Sequence, residues 1–360
     1  MMKRLAVILL SLSLGIQAPA GGRSVDFSAA PQNDNPAADV TAPAPEQGPD
    51  ISGIIFGHVG DAYEWHVTKI GKKNLVIWLP VIVRASDGWH CFSSRHILEE
   101  PEYQGLHIAA AGEPHEGKIV EADGRRPFDI SITKNVLSLM MSSLLLVVLV
   151  LLTARWYRRH DSMEESPKGL AALMEPLIAM VNGIAKENIG KDYLRYSPYL
   201  LTVFLFILLN NFMGIIPIFP GGANLTGNIA CTLVLALFTF FFVNFTGTRH
   251  YYKELFLPDV PWILKPLMSV IEVFSALVKP LSLTIRLFAN MLAGHIQILC
   301  IVSVIFIMAR YGGVLLGGMS FISVFFGIFL DVLEMLISFI QAYIFTMLSS
   351  IYIGQARAKE

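Results

Sequence analysis

"SLTIRLFANMLAGHIQ", residues 282–297, sets one arginine, Arg286, inside a run that is otherwise apolar and helix-forming. A guanidinium in hydrocarbon costs at least ~3 kcal/mol, so a chain that keeps one there needs a use for it. The surrounding 360 residues are 54% hydrophobic and 15% charged, with a mean hydropathy of +0.57. That balance lies far from soluble globular domains and reads as an all-α polytopic membrane protein. Lysines and arginines sit at the ends of apolar runs, and the formal net charge is −1. Such a distribution reports topology and gives no footing for a nucleic-acid partner.

Outward from the arginine, five runs are expected to cross the bilayer: about 136–154, 199–218, 225–246, 263–310 and 319–353. The first is followed by Arg155, Arg158 and Arg159, which marks a cytoplasmic end by the positive-inside rule. Residues 169–190 carry Glu175, Lys186 and Glu187 among apolar residues at helical spacing and read as an interfacial amphipathic helix. The last two runs would be roughly 75 and 50 Å long against a ~30 Å hydrocarbon core, so they must tilt or break. Pro266 and Pro280 are available as bends. Arg357 and Lys359 then place the C-terminus in the cytoplasm, with the N-terminal region exported.

Before the first run, residues 1–20 have Lys3, Arg4, a short apolar stretch and small residues at Ala18 and Ala20, the pattern of a signal peptide. Residues 21–50 are rich in Pro, Ala, Asn and Asp and read as a disordered tether. Residues 51–130 form an extracytoplasmic region with two or three strand-like segments broken by Pro80 and Gly88, and 131–360 form the membrane domain. Of three cysteines only Cys91 falls in the exported part, so no intrachain disulfide is expected. His58, His66, His90, His96, His107 and His115 match no metal-ligand spacing, and no metal or cofactor is expected.

The last two runs read as a hairpin turning at "YGGVLLGG", whose glycines 312, 313, 317 and 318 centre near position 315. Residues equidistant from the turn share a level, which sets Arg286 with Gln341 and His295 with Glu334. At about 100° per residue, Ser282, Arg286, Asn290, Ala293 and Gln297 form one stripe, and Glu272 lies near its extension. Small Ala289 and Ala293 beside the cation suit close approach by another helix. His295 points about 180° away, toward the partner helix, where Asp331, Glu334, Ser338 and Gln341 form their own stripe. A structural anchor, with Arg286 paired to a carbonyl or to Glu334 and Gln341 as interhelical glue, is the alternative. Intramembrane ionisable groups gathered at one hairpin mark an ion path.

"KPLSLTIRLFANMLAGH", with "FIQAYIFTMLSSIYIG" near the end, resembles subunit a of F-type ATP synthases. The resemblance extends through "HVGDAYEWHV", "DISITKNVLSLMMSSLLL" and "LLNNFMGIIPIFPGGANLTGNIA", covering roughly residues 52–356. It implies a proton-translocating stator subunit of the Fo sector in a bacterial inner membrane. Its partners would be a rotating c-subunit ring, the subunit b stalk and the rest of the synthase, and it would have no nucleotide site of its own. Residue by residue, Arg286 matches the essential arginine, Asn290 the asparagine one turn on, Gln341 the facing glutamine and Glu272 the carboxylate of the cytoplasmic side. Many bacterial relatives carry a glutamate where this chain has His295 and a histidine where it has Glu334. The exchange preserves one imidazole and one carboxylate at one level. The signal peptide, tether and enlarged exported region depart from the short family N-terminus.

The mechanism this implies is electrostatic. Arginine keeps its proton, so Arg286 instead lowers the pKa of a passing ring carboxylate, which lipid raises again. A proton from the exported side would pass by Glu334, His295 and Asp331 to the ring and leave near Glu272, assisted by Asn290. The competing function class is a secondary transporter or channel in which Arg286 binds an anionic solute, although no internal repeat of that kind is evident. No GxxxxGK[ST] loop occurs.

Overall fold

The computed structural model describes residues 60–357, apart from 71–72, 111–112, 114, 161–165, 217–221, 223–224, 259 and 309–312. The expected signal peptide and tether lie outside the described residues, as do His58 and positions 309–312 at the hairpin turn.

The N-terminal region is built of short strands. β1 (Glu64–Ile70) and β2 (Lys73–Trp78) form an antiparallel ribbon. β3 (Pro80–Ala85) and β4 (Gly88–Ser93) form a hairpin that leads into the short helix α1 (Ser94–Glu99). β5 (Leu106–Ile108) pairs with β6 (Ile119–Glu121), and β7 (Phe128–Asp129) adds to the free edge of β3. Seven strands replace the two or three read from sequence. β5, β6 and β7 are only 3, 3 and 2 residues long, too short for alternation to show. Within β3 the period of two is plain: Val81 and Val83 are fully buried, against Tyr63, Ile97, Leu106 and Ile119, while Arg84 faces out.

This region is fastened directly to the first long helix. Ile130 and Ile132 donate their N–H groups to the carbonyls of Ile82 (2.9 Å) and Pro80 (3.1 Å), so the chain leaves β7 still paired. Thr133 then caps α2 (Lys134–Arg159) through Val136 N–H, and Asp61 accepts from Asn135 N–H at 3.1 Å. A carboxylate there satisfies an orphan donor and meets the positive end of the helix dipole. Arg158 and Arg159 close the other end.

The remaining helices are α3 (Leu170–Ile189), α4 (Tyr193–Ile215), α5 (Ile229–Thr246), α6 (Arg249–Phe256), α7 (Lys265–Met308) and α8 (Gly313–Arg357). Among the described residues, five stretches are long and apolar enough to cross a membrane: 134–159, the α3–α4 run 170–215, 229–246, 265–301 and 321–357. Helix α4 is central, packed by α2, α3 and α8, and every residue from Tyr196 to Leu208 is buried. On α2 the usual polarity is inverted, with Ser138, Ser142, Ser143 and Thr153 facing inward and Met140, Leu144, Val148, Leu151 and Leu152 facing out. Small polar residues inside and large apolar ones outside suit a helix whose solvent is lipid.

Helix α3 is amphipathic, with Met174, Val181, Ile184 and Ala185 buried and Glu175, Lys186 and Glu187 exposed. Its end meets α8 closely. Gly354 sits against the Asn188 backbone, and the Asn188 side chain donates to Ser350 Oγ at 2.8 Å. Any side chain at 354 would collide with main chain. Helix α7 runs 44 residues, about 66 Å, with its helical assignment continuous through Pro280. Pro266 falls in its first turn, where a missing N–H costs nothing. Of the two ways to accommodate so long an apolar helix, tilting or breaking, secondary structure here is unbroken.

Candidate functional site

Helices α7 and α8 pack along each other and bring the predicted polar residues to two neighbouring levels. At the first, His295 Nδ1 and Glu334 Oε1 stand 3.4 Å apart, both residues buried at 8% and 6% exposure. Neither His295 Nδ1 nor either Glu334 oxygen has a hydrogen-bond partner among the described residues. An uncompensated carboxylate so placed costs several kcal/mol. The fit depends on Gly294, because a Cβ there would lie 2.7 Å from Glu334 Oε1 and 2.9 Å from its Cδ. Glycine is what admits the acid beside the ring.

At the second level Asn290 Nδ2 donates to Gln341 Oε1 at 2.8 Å, with Gln341 itself buried. The sequence set Gln341 level with Arg286; its hydrogen bond comes instead from one turn further along. One turn centre near 315 serves both levels, since 290 and 341 centre at 315.5 and 295 and 334 at 314.5; the position opposite Gln341 falls between Arg286 and Asn290, and Asn290 is the one that bonds it. Ser338, between Glu334 and Gln341, is buried, and its carbonyl accepts from Asn211 Nδ2 at 3.5 Å. Asn211 Oδ1 in turn accepts from Thr226 Oγ1 at 2.8 Å. Asn211 and Thr226 are each 1% exposed, so a file of buried polar groups runs from the turn before α5 to the hairpin.

Arg286 occupies a different face. It is half-buried, while Ser282, Ile285, Ala289, Ala293 and Gln297 around it are exposed. It lies near enough to Tyr352 to act on it electrostatically. Tyr352 also carries Lys279 over its ring at 5.0 Å, and Lys279 donates to Gln355 at 3.4 Å. Asp331 is exposed, apart from the buried members of its stripe, and interacts electrostatically with Glu334. Glu272 lies 14 residues before Arg286, about 21 Å along the axis, whereas His295 is about 14 Å beyond it. Beside Glu272 is Tyr251 of α6, whose phenol is pushed up by burial first, then by Tyr252 and Glu272.

Sequence reasoning missed Gly294, Asn211, Thr226 and Tyr352. Gly294 had a signal, being the small residue next to His295 on a helix that faces a glutamate. Tyr352 had none, since nothing local distinguishes it from other apolar-helix tyrosines. Among the described histidines, His90 bonds Asp87 (2.7 Å) and Gln104 (2.8 Å), His96 stacks on Tyr103, and His107 lies 3.9 Å from Glu113.

Fold and site together define a polytopic helical membrane protein with ionisable groups gathered in its last hairpin. A family described as the ATP synthase A chain matches residues 139–354, and one described only as a domain of unknown function matches 54–137. ATP synthase subunit a 2 of Prosthecochloris aestuarii is 42% identical over 238 residues, 65% of this chain and 71% of that one. ATP synthase subunit a of Anaeromyxobacter dehalogenans is 34% identical over 349 residues, 90% of this chain and 86% of that one. The chain belongs to the subunit a family of the Fo sector of F-type ATP synthases, as a multi-pass bacterial membrane protein.

Proposed function

We propose that the chain is the proton-carrying stator subunit, with two offset half-channels that meet a rotating ring of carboxylate-bearing subunits at Arg286. The observation that carries this reading is the placement of Arg286 on an uncovered stripe of α7 beside small Ala289 and Ala293. The His295–Glu334 pair is buried on the hairpin side of the same helix. A cation on the open face suits a passing acid, and a buried acid–base pair suits a relay. The N-terminal region faces the exported side and Arg357 the cytoplasm.

Protons from the exported side reach Glu334 past Thr226, Asn211 and Ser338, exchange with His295 and reach a ring carboxylate, with Asp331 at the uncovered side of the pair. Imidazole and carboxyl exchange a proton once the ring closes the 3.4 Å gap to hydrogen-bond distance. Each loaded ring carboxylate moves away through lipid and returns to Arg286 from the other side. There the guanidinium favours its charged form, and the proton leaves toward Glu272. Asn290 and Gln341, bonded to each other, hold the segment beside Arg286 in register with α8. Direct leakage between the half-channels is blocked by the fixed cation. Each charge moved down the membrane potential releases about 2.3 kcal/mol per 100 mV.

The test is ATP-driven acidification of inverted vesicles carrying the whole complex with Arg286→Ala. Loss of pumping with the complex assembled is expected; unchanged pumping returns Arg286 to the status of an anchor.

A further inference from the structure

The N-terminal region and the membrane helices enclose a cavity of about 350 Å3 at their junction, within the ~300–1,000 Å3 typical of small-molecule sites. Its lining changes character with depth. The N-terminal side contributes Lys118, Arg126, Asp61, Tyr63 and Asp129; the helical side contributes Val136, Leu139 and Met140 of α2 and Ala230, Cys231 and Val234 of α5. Of the lining, Phe128 and Met140 are 58% and 52% exposed, so the cavity is open to the outside beside them.

Two features narrow the occupant. Asn135 lines the cavity at 6% exposure, and its Oδ1 has no hydrogen-bond partner, an acceptor withdrawn from water with nothing to accept from. The lining itself carries two cations, Lys118 and Arg126, and two carboxylates, Asp61 and Asp129, with Lys134 beside Asp61 from α2. Asp129 is committed to Tyr63 OH (2.5 Å) and Ser131 N–H (2.8 Å), whereas Asp61 gives one oxygen to Asn135 N–H and interacts with Lys134 from the α2 side. The unmatched Asn135 Oδ1 calls for a ligand N–H or O–H donor, and the Asp61 carboxylate beside it favours a donor that is cationic. The ligand must also present an anionic group to Lys118 and Arg126, and continue as hydrocarbon along α2 and α5.

We propose that this cavity binds a zwitterionic phospholipid with a primary ammonium headgroup, a phosphatidylethanolamine. The ammonium supplies the donor that Asn135 Oδ1 lacks, the phosphate faces the two basic side chains, and the glycerol and first acyl carbons lie between α2 and α5. A lipid so held ties the N-terminal domain to the bilayer surface as well as to α2.

The test uses the full chain, purified and delipidated in detergent. It is offered equal amounts of phosphatidylethanolamine, phosphatidylcholine and phosphatidylglycerol of one acyl composition, and retained lipid is read by native mass spectrometry. Phosphatidylcholine has no N–H to donate, so phosphatidylethanolamine should be retained about 10-fold better. Asn135→Leu should erase that preference, and Val234→Trp, which fills the apolar wall, should lose the retained lipid. If Val234→Trp fails to keep the wild-type unfolding temperature, Met140→Trp at the exposed mouth gives the same reading. Equal retention of all three lipids, a preference for phosphatidylglycerol, or retention undiminished by either tryptophan overturns the proposal, a water-filled recess being the outcome in the last case.

Discussion

Helix α4 and the α7–α8 hairpin are made of similar residues and are packed in opposite ways. Around α4, side chains from every direction meet, and most buried polar groups find local partners: Thr202 bonds the Pro198 carbonyl at 2.7 Å and Tyr199 meets Thr239 at 2.8 Å, while the Tyr196 hydroxyl and Asn210 Oδ1 stay unmatched. The hairpin leaves Phe321, Phe325, Phe329, Val332 and Met335 largely exposed, yet buries an imidazole and a carboxyl without hydrogen-bond partners. What α4 leaves unmatched is a phenol and an amide oxygen, and it is enclosed on all sides as a scaffold is. What the hairpin leaves unmatched is an imidazole and a carboxyl, the pair given the relay role in the proposed function, and its uncovered apolar face is where lipid or a partner must lie.

The sharpest way to break that contrast is to disarm the pair. His295→Ala and Glu334→Ala should each slow proton uptake by about 100-fold, the usual worth of a positioned acid or base, in pumping assays from about pH 6 to 9. Wild-type behaviour of both would remove the relay. The scaffold should respond in stability instead. Phe204→Ala, at a fully buried α4 position, should cost about 3 kcal/mol, while Ile285→Ala on the open stripe of α7 should cost under ~0.5 kcal/mol. Equal losses in thermal unfolding would mean the hairpin face is covered within the chain itself.

A smaller effect probes the seat of the acid. Gly294→Ala places a methyl where Glu334 now lies, so the carboxyl must move by a few tenths of an ångström or more, and proton uptake should fall about 10-fold. Unfolding temperature should change little, because the neighbour that gives way is a side chain. Gly354→Ala meets backbone and should instead weaken the α3–α8 contact with proton exchange intact.

The smallest expected effect lies outside the membrane helices. The hydrogen bond to Asp87 raises the His90 pKa, and the same bond lowers that of Asp87. A raised histidine stabilises below its unfolded pKa of about 6.5, and a depressed aspartate stabilises above its unfolded value of about 3.9. The contact therefore contributes most between those values and fades as pH rises through the folded value of His90. Protection of β4 amides from hydrogen exchange should decline from about pH 5.5 to 8 in the wild type and not in His90→Gln. A parallel decline in both would assign the effect elsewhere.

Much of the helical part is legible because hydropathy and charge punctuation are strong signals over long runs: α2 ends on Arg158 and Arg159, and α7 and α8 emerge as one long pair. The level of His295 with Glu334 follows from distance to a turn. What escaped the sequence is what depends on angle or on distant chain. Whether Arg286 or Asn290 meets Gln341 depends on which way each side chain faces, the Asn211–Thr226 bond joins different elements, and the short strands β5 to β7 exist only through their partners. The cavity where the N-terminal region meets α2 and α5 is lined from both, so no local pattern announces it.

The most direct measurement is the structure of the assembled complex in several rotary states, read for the position of the Arg286 guanidinium. We expect it to face the ring and to approach one ring carboxylate within about 4–6 Å in each state. A guanidinium turned inward in every state, bonded to Glu334 or to a main-chain carbonyl, would contradict the electrostatic role given to it.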